Sequence, residues 1–217
     1  MSALASGRVR CRGSRVVRLD VFSETFEVVW SGWMLAKKHC YCNDKLEFER
    51  RRCMVNKKDA IEIILYAEEN GIAIWLDGGW GVDALLEEET RLHNDIDLFV
   101  EENNSKKFIE IIKEKGFAEV TEAYTTTNHT IWKDAQDRII DFHIFKFNEQ
   151  GYIVFEGEAY PPKVFSGIGK IGDKMVRCID AENQVLFHLG YEHDENDMHD
   201  VKLLCEKFNI PVPSEYK

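Results

Sequence analysis

The chain has 217 residues, of which 44% are apolar and 31% are charged, and its formal net charge is −11 at pH 7. This length and composition suit a folded domain with a core, and they exclude a wholly disordered chain. The acidic charge argues against a nucleic-acid-binding protein, because phosphates require a basic surface, and the lack of an apolar run of about 18 residues argues against a membrane span.

The first 53 residues differ from the rest of the chain in charge and in patterning. They carry 11 basic and 6 acidic residues, whereas the remainder carries 17 and 33. No helical or strand period persists in them, and they lack the apolar segment of a secretory signal. We therefore predict that residues 1–53 are a poorly patterned N-terminal extension outside the fold. Met54 is then the natural start, and 54–217 is the folded domain.

Four of the six cysteines fall within this extension. His39-Cys40-Tyr41-Cys42 resembles half of a metal site, but no second pair follows at zinc-finger spacing. We interpret the cysteines as free thiols. Since neither a disulfide framework nor a signal peptide is found, the sequence predicts a cytoplasmic protein.

Beyond Met54, helical and strand patterns alternate. Asn56, with Asp59 three residues later, predicts the N-cap of a first helix that stops at Asn70-Gly71. The patterning then predicts, in order, a strand at 72–76, a helix at 80–88, a strand at 96–100, a helix at 104–115, strands at 117–124, 130–133, 138–145 and 152–155, a long loop at 161–172, and helices at 180–189 and about 197–207. This is an α+β fold, a mixed β-sheet flanked by helices, with a helical C-terminal part from about residue 180.

A glycine pair follows the first predicted strand, in the segment WLDGGWG. Gly78 and Gly79 lie between that strand and a helix, where a plain turn is the simplest interpretation. A glycine pair at this place also lets the backbone approach a ligand, and its N–H groups with the helix N-terminus form an anion site. The spacing matches neither a P-loop nor a dinucleotide fingerprint.

Two aspartates alternate with apolar residues in the segment HNDIDLFV. Side chains alternate along a strand, so Asp95 and Asp97 share one face, about 6–7 Å apart at Cα, and Ile96, Leu98 and Val100 face the other way. A solvated sheet edge would explain this pattern. Alternatively, two repelling carboxylates raise each other's pKa unless a cation lies between them, and Mg²⁺ suits such oxygen ligands.

A third carboxylate, Asp141, stands inside the apolar strand RIIDFHIF. Burying an unpaired charge is unfavourable, so Asp141 is a candidate to complete a two-metal site for phosphoryl or nucleotidyl transfer, with His143 on the same face. An exposed strand with outward Asp and His is the alternative. Arg91 and His93, just before the aspartate pair, can supply positive charge to phosphates, or can belong to a surface loop.

These residues together resemble a known family. The segments GGWGVD and RLHNDIDLFV, with IIDFHIF and VRCIDAENQVLFHLGYEHDENDMHDVK, resemble the antibiotic-inactivating nucleotidyltransferases of the DNA-polymerase-β-like superfamily. The similarity is greatest to the small lincosamide nucleotidyltransferases and more distant to the aminoglycoside 2″-adenylyltransferases. It extends from about Ile72 to Lys202, and residues 1–53 have no counterpart in it.

The resemblance implies ATP as co-substrate, Mg²⁺ as metal, and transfer of AMP to a hydroxyl of a lincosamide. Asp95, Asp97 and Asp141 match the metal-binding carboxylates, and Asp141 is the implied general base. Gly78 and Gly79 match the phosphate-holding glycines. The sequence departs from the family pattern at Glu87, where the family carries glycine.

Further expectations concern the partners. A polar pair on the last helix, Asp200 and Lys202, can reach the nucleotide. Four aromatic residues are interpreted as core, and one or two of them can instead line an acceptor pocket: Trp75, Trp80, Trp132 and Phe165. Small transferases of this kind can pair as homodimers. Two alternatives remain open: an adenylyltransferase for an aminoglycoside or a protein hydroxyl, and a catalytically silent nucleotide-binding module.

Overall fold

The computed structural model describes residues 54–189 and 191–217, and the backbone of four short strands near the N-terminus. The chain divides into two compact units, Met1–Asp44 and Lys45–Lys217. In the first unit, two antiparallel pairs form, β1 with β2 and β3 with β4, at Val9–Arg10, Val16–Val17, Leu19–Val21 and Glu24–Phe26. The half metal site considered at Cys40 and Cys42 lies outside the described residues, as does most of the predicted extension. That extension therefore stays a prediction.

The second unit contains five helices and nine strands among the described residues. The helices are α1 (Lys57–Glu68), α2 (Gly78–Leu86), α3 (Glu102–Glu114), α4 (Ala181–Phe187) and α5 (Glu195–Phe208). The strands are β5 (Ile74–Asp77), β6 (Ile96–Glu101), β7 (Ala118–Val120), β8 (His129–Lys133), β9 (Ile139–Phe147), β10 (Ile153–Phe155), β11 (Glu158–Tyr160), β12 (Gly167–Ile171) and β13 (Lys174–Cys178). Two 3₁₀ turns occupy Pro162–Ser166 and Ser214–Tyr216.

All nine strands belong to one mixed sheet. The order is β11-β10-β9-β6-β5-β13-β12, with β8 also paired to β9, and β7 to β8. At the centre, β6 runs antiparallel to β5 and parallel to β9. The predicted α+β fold, a mixed sheet flanked by helices with a helical C-terminal part, is thereby confirmed.

Side-chain caps begin three of the helices. Asn56 accepts hydrogen bonds from the backbone of Lys58 and Asp59 at the start of α1, in the predicted capping box, and Asp180 caps α4. Asp194 forms a second capping box on α5. None of the described helices combines the length and the apolar character that a membrane crossing requires.

The two faces of the central strands are packed differently. One face carries Leu76, Leu98 and Phe142, which are fully buried in the main core together with residues of α1, α2 and α3. Each such side chain contributes about 1.5–3 kcal/mol by leaving water. The other face carries a smaller aromatic cluster that includes Phe99 and Phe145. Polar side chains continue this second face toward the strand ends.

The predicted loop at 161–172 is wrong, because a 3₁₀ turn and the β12–β13 hairpin occupy this region. The glycines misled the interpretation. A Cβ on Gly169 would lie 2.2 Å from the Ala84 carbonyl oxygen, and one on Gly167 would lie 2.6 Å from that of Ile179. These glycines therefore permit close packing of a strand, and only Gly172, with φ +59°, has the turn conformation.

Candidate active site

Three aspartates lie side by side across three neighbouring strands. In the register of the sheet, Asp77 of β5 pairs with Asp97 of β6, and Asp97 pairs with Asp141 of β9. Asp95 precedes β6 on the same face as Asp97, because side chains two residues apart share a face. The structure thus brings the three predicted carboxylates together and adds Asp77, which the sequence analysis did not single out.

Mutual repulsion and burial disfavour ionisation of this group. Burial, followed by the charges of Asp97 and Asp141, raises the pKa of Asp95 to about 7. Burial, Asp141 and Asp77 hold the pKa of Asp97 well above its usual range, and burial also raises that of Asp77. Clustered oxygen donors with unfavourable negative charge fit a hard divalent cation such as Mg²⁺.

Gly78 and Gly79 are the first two residues of α2, so the helix begins two residues earlier than predicted and the pair is no plain turn. Gly78 has φ +54°, and a Cβ there would lie 2.2 Å from Oδ2 of Asp97. A Cβ on Gly79 would lie 2.3 Å from Nδ1 of His93. A side chain at either position would force these neighbours to move, and the backbone N–H groups at this helix N-terminus suit an anion.

His93 is buried beside this glycine pair, which excludes the surface-loop alternative for it. Its Nε2 lies 2.5 Å from Oδ2 of Asp83, and Asp83 also accepts hydrogen bonds from Thr90. The other ring nitrogen, Nδ1, faces Gly79. The main chain of His93 is held as well, since its carbonyl accepts a hydrogen bond of 3.0 Å from the Val55 amide.

Arg91 forms a two-pronged ion pair with Asp200 of α5. Its Nε and a terminal nitrogen lie 2.9 Å and 2.6 Å from the two carboxylate oxygens, and Asp200 is 1% exposed. The same terminal nitrogen lies 2.5 Å from a Cβ built on Gly79. Arg91 is therefore near the glycine pair, and Asp200 orients its guanidinium.

Lys202 is the predicted residue that the structure does not bring into this group. It is exposed on α5, two residues after Asp200. Residues two apart on an α-helix point to nearly opposite sides, so Lys202 faces away from Arg91. Its predicted contact with the nucleotide stays a prediction without support from this placement.

Two histidines surround Asp141. Nε2 of His129, the first residue of β8, lies 2.6 Å from Oδ1 of Asp141, and Nε2 of His143 lies 3.5 Å from the same oxygen. The hydrogen bond to Asp141 raises the pKa of His129, whereas burial lowers that of His143. The sequence analysis missed His129, because its position depends on the pairing of β8 with β9.

Aromatic side chains continue the carboxylate face away from the aspartates. Trp75 stacks on Phe165 with ring centroids 4.7 Å apart, and Phe99 stacks on His143 at the same separation. Trp75 and Phe165 are half-buried, whereas Trp80 and Trp132 are fully buried in the main core. Of the four aromatic residues predicted to be core, Trp75 and Phe165 are therefore the two placed to line an acceptor pocket.

Comparison with known proteins agrees with this geometry. Residues 60–204 match the model of the family described as aminoglycoside-2″-adenylyltransferase. A lincosamide resistance protein of Staphylococcus haemolyticus is 29% identical over 160 residues, covering 69% of this chain and 94% of that protein. A 2″-aminoglycoside nucleotidyltransferase of Klebsiella pneumoniae is 28% identical, covering 62% of this chain and 72% of its own.

Solved structures resemble the fold over a similar span. The lincosamide antibiotic adenylyltransferase LnuA, with lincomycin bound, superimposes with a TM-score of 0.64 and 29% identity, over 73% of this chain and 99% of that one. ANT(2″)-Ia in complex with adenylyl-2″-tobramycin superimposes with a TM-score of 0.58 over 70% of this chain and 88% of that one, and at 20% identity it shows a shared fold. The resemblance read from the sequence is thus confirmed. The chain belongs to the aminoglycoside-2″-adenylyltransferase family of antibiotic-inactivating nucleotidyltransferases, and its reaction uses a nucleotide co-substrate.

Proposed function

We propose that the protein transfers AMP from ATP to a hydroxyl group of a lincosamide antibiotic and thereby inactivates it. The observation that carries the proposal is the alignment of Asp97 and Asp141 on adjacent strands, next to the glycine pair that begins α2. The chain also spans almost the whole length of the lincosamide resistance protein to which it is similar. ATP and its acceptors belong to the cytoplasm, where we place the protein.

Asp95, Asp97 and Asp141 are the residues that would hold Mg²⁺. Their crowded carboxylates fit the ion, because a divalent cation removes the repulsion that raises the pKa of Asp95 and Asp97. When bound, Mg²⁺ supplies charge neutralisation for the triphosphate and for the negative charge that develops during transfer. The remaining roles belong to side chains and backbone groups of the protein.

The nucleotide phosphates are bound by the start of α2. Backbone N–H groups at Gly78 and Gly79 lie at the positive end of the helix, and the absence of side chains there lets phosphate oxygens approach. Arg91, oriented by Asp200, and His93, oriented by Asp83, adjoin the same glycines; Arg91 supplies N–H donors, and Nδ1 of His93 donates when the ring is doubly protonated. These four residues therefore bind phosphates, and they position the α-phosphorus for attack.

Asp141 accepts the proton of the acceptor hydroxyl. The hydroxyl oxygen forms the new bond to the α-phosphorus, the bond between the α-phosphorus and the bridging oxygen breaks, and pyrophosphate leaves. Asp141 suits this role because its position beside Asp97 keeps it close to the phosphates, whereas its other side faces His129 and the aromatic cluster. The half-buried rings of Trp75 and Phe165 supply an apolar wall for the sugar and its substituents.

A direct test combines the purified full-length protein, ATP and Mg²⁺ with a panel of lincosamides and aminoglycosides. The expected product is a lincosamide whose mass has increased by one AMP group, with pyrophosphate released in equal amount. Asp97→Asn is the inactive control. If every lincosamide is unchanged while an aminoglycoside is adenylylated, the acceptor assignment is wrong but the chemistry stands. If no acceptor of any class, including added protein, is modified, the silent nucleotide-binding module is the correct alternative.

An aminoglycoside acceptor is the second candidate. It is favoured by the net charge of −11 and by the four carboxylates at the site, because aminoglycosides are polycations. It is also favoured by the similarity to a 2″-aminoglycoside nucleotidyltransferase. Salt dependence separates the two candidates, since attraction of a polycation weakens strongly with ionic strength and binding of a lincosamide, with at most one positive charge, weakens little.

We also propose that residues 1–53 are dispensable for transfer and that the active protein is a homodimer. The family match begins at residue 60, and the capping box of α1 begins at Asn56, which supports a self-sufficient domain from Met54 onward. Purified 54–217 is expected to match the full chain in activity and to elute at twice its monomer mass. Loss of folding on truncation would contradict the first proposal, and a monomeric elution the second.

A further inference from the structure

We propose that His129, Asp141 and His143 form a binding site for a divalent transition-metal ion of the Zn²⁺ and Co²⁺ class. Each of the three side chains offers one donor atom, and these atoms all lie within 4.8 Å of one another. The site shares Asp141 with the proposed Mg²⁺ group but differs from it in its two imidazole donors. It does not depend on the proposed transfer reaction, because metal binding can be measured without a nucleotide.

The distances around Asp141 suit a small ion. Oδ1 of Asp141 lies 2.6 Å from Nε2 of His129 and 3.5 Å from Nε2 of His143. Donor atoms around a tetrahedral ion with bonds of about 2.0–2.1 Å lie roughly 3.3 Å apart. Small side-chain rotations therefore convert this arrangement into three ligands, with the remaining position open to water.

The backbone holds the two histidines in place. His129 and His143 are directly opposite each other in the antiparallel pair of β8 and β9, and their ring centroids lie 4.4 Å apart. The neighbours of the cluster include Asp97, whose Oδ1 lies 3.9 Å from Nε2 of His143, and Phe99, which stacks on the His143 ring. Ligands built on paired strands are held more firmly than ligands on loops.

Unsatisfied hydrogen bonding points to a missing partner. His143 is buried, and its Nδ1 has no hydrogen-bond partner in the part of the chain that the structure describes. No hydrogen bond at Nδ1 fixes the tautomer, so the ring can carry its proton on Nδ1 and present the Nε2 lone pair to a metal ion placed beside Asp141. A buried imidazole beside two carboxylates and a second imidazole is an environment that suits a metal ligand.

The two imidazole nitrogens and one carboxylate oxygen determine which ion this site prefers. Imidazole suits Zn²⁺, Co²⁺ and Ni²⁺, whereas Mg²⁺ prefers oxygen ligands alone. We therefore expect Co²⁺ and Zn²⁺ to bind at the histidines and Mg²⁺ at the aspartates, with Asp141 between them.

Co²⁺ is the probe, because its visible absorption reports nitrogen and oxygen ligands directly. The full-length protein, freed of metal, is titrated with Co²⁺ in a Cys40→Ser/Cys42→Ser background, since thiolates in general bind the same ions. His129→Gln and His143→Gln are each expected to weaken Co²⁺ binding at least about 10-fold, by loss of a ligand. His199→Gln, on α5, is the matched control and should bind Co²⁺ as the parent does.

Several outcomes overturn the site. Co²⁺ binding that is unchanged in both histidine variants, or absent from the parent protein, contradicts it. If a variant does not fold, proton NMR of the Co²⁺-loaded parent protein replaces it. Paramagnetic shifts of the protons of two imidazole rings support the site, and shifts of fewer than two rings overturn it. The Asp97→Asn variant should lose AMP transfer but still bind Co²⁺. Loss of the proposed function and absence of the metal site are therefore measured by different experiments.

Discussion

The two faces of the central strands have opposite effects on the folded protein. Asp97 and Leu98 are neighbours on β6, and alternation places one on the carboxylate face and the other in the main core. Leu98 is fully buried among apolar side chains, which stabilises the fold. Asp97 is placed against Asp77 and Asp141, which disfavours its charge. Stability and binding of a charged ligand are thus assigned to alternate residues of the same strands.

This division has a structural reason. The apolar face is covered by helices and resembles any protein core, so its residues need only fit in size and shape. The carboxylate face concentrates like charges in a place from which water is partly excluded, an arrangement that is unfavourable without a cation. Residues at a site of this kind are expected to lower the stability of the protein when no ligand is bound.

The largest effect is expected from Asp97→Asn. The amide keeps the shape but removes a charge, so AMP transfer should fall at least about 100-fold, comparable to loss of a major electrostatic contact in other enzymes. At pH 8 without Mg²⁺ the variant should be more stable than the parent by about 1 kcal/mol, because one repelling charge is gone. Pyrophosphate release and urea unfolding measure the two effects. A less stable variant under these conditions would contradict the opposition between the faces.

Leu98→Ala should have the reverse effects, a large loss of stability and little change in AMP transfer. Removal of a fully buried leucine side chain is expected to lower the free energy of unfolding by about 2–5 kcal/mol, through lost burial and a residual cavity. Transfer by the molecules that remain folded should change little, provided that it is measured well below the melting temperature. Leu92→Ala is the matched control, since Leu92 is exposed and its loss should change stability by at most about 0.5 kcal/mol. Equal losses in both variants would refute this prediction.

Protons and Mg²⁺ should each stabilise the carboxylate face, but in different pH ranges. The folded state holds the pKa of Asp95 at about 7, above its value in the unfolded chain, so the folded state binds more protons between pH 4 and 7. Stability of the metal-free protein should therefore fall as pH rises through this range. Mg²⁺ binds the ionised form, so its stabilising effect should grow from pH 6 to pH 8.

Urea unfolding at several pH values, with and without Mg²⁺, measures this effect. Asp95→Asn serves as the control, since it should flatten the contribution from this window while leaving other titrations in place. A parent protein and a variant with identical pH dependence would show that Asp95 does not titrate as the structure requires.

The smallest effect concerns Glu87, which ends α2 on the side away from the glycine pair. Glu87 has φ +60°, a left-handed conformation that favours glycine, and glycine is the residue of the family pattern at this position. Glu87→Gly should stabilise the protein by about 0.5–1 kcal/mol, since relief of strain exceeds the added entropy of the unfolded chain. The exposed contact of Glu87 with Lys170 contributes little. Thermal unfolding checks this, and Glu88→Gly, without a positive φ, should not stabilise.

Local pattern was enough to predict much of this site. Alternation alone assigned Asp95 and Asp97 to one face and the apolar residues between them to the other, and an isolated charge in an apolar strand singled out Asp141. The strand before Gly78 and the helix after it were also visible. Each of these features depends on residues close together in the sequence, where periods of two and of 3.6 residues are informative.

The features that were missed depend on which strands and helices are neighbours. Asp77 became part of the site only through its register with Asp97, and His129 only through the pairing of β8 with β9. Arg91 meets Asp200 across 109 positions, a pairing that no local pattern encodes. The glycines at 167 and 169 looked like loop signals, because sequence alone does not distinguish a glycine that turns the chain from one that lets a strand approach a helix.

The hydrogen bond from the Val55 amide to the His93 carbonyl bears on how the protein is handled. It ties the proposed start of the domain, next to Met54, to the loop that carries a predicted phosphate ligand. A fusion partner, affinity tag or new charged amino terminus placed at residue 54 would therefore sit one peptide unit from that loop. Recombinant forms that begin there should be compared with forms that begin several residues earlier before any change in nucleotide affinity is assigned to the missing segment.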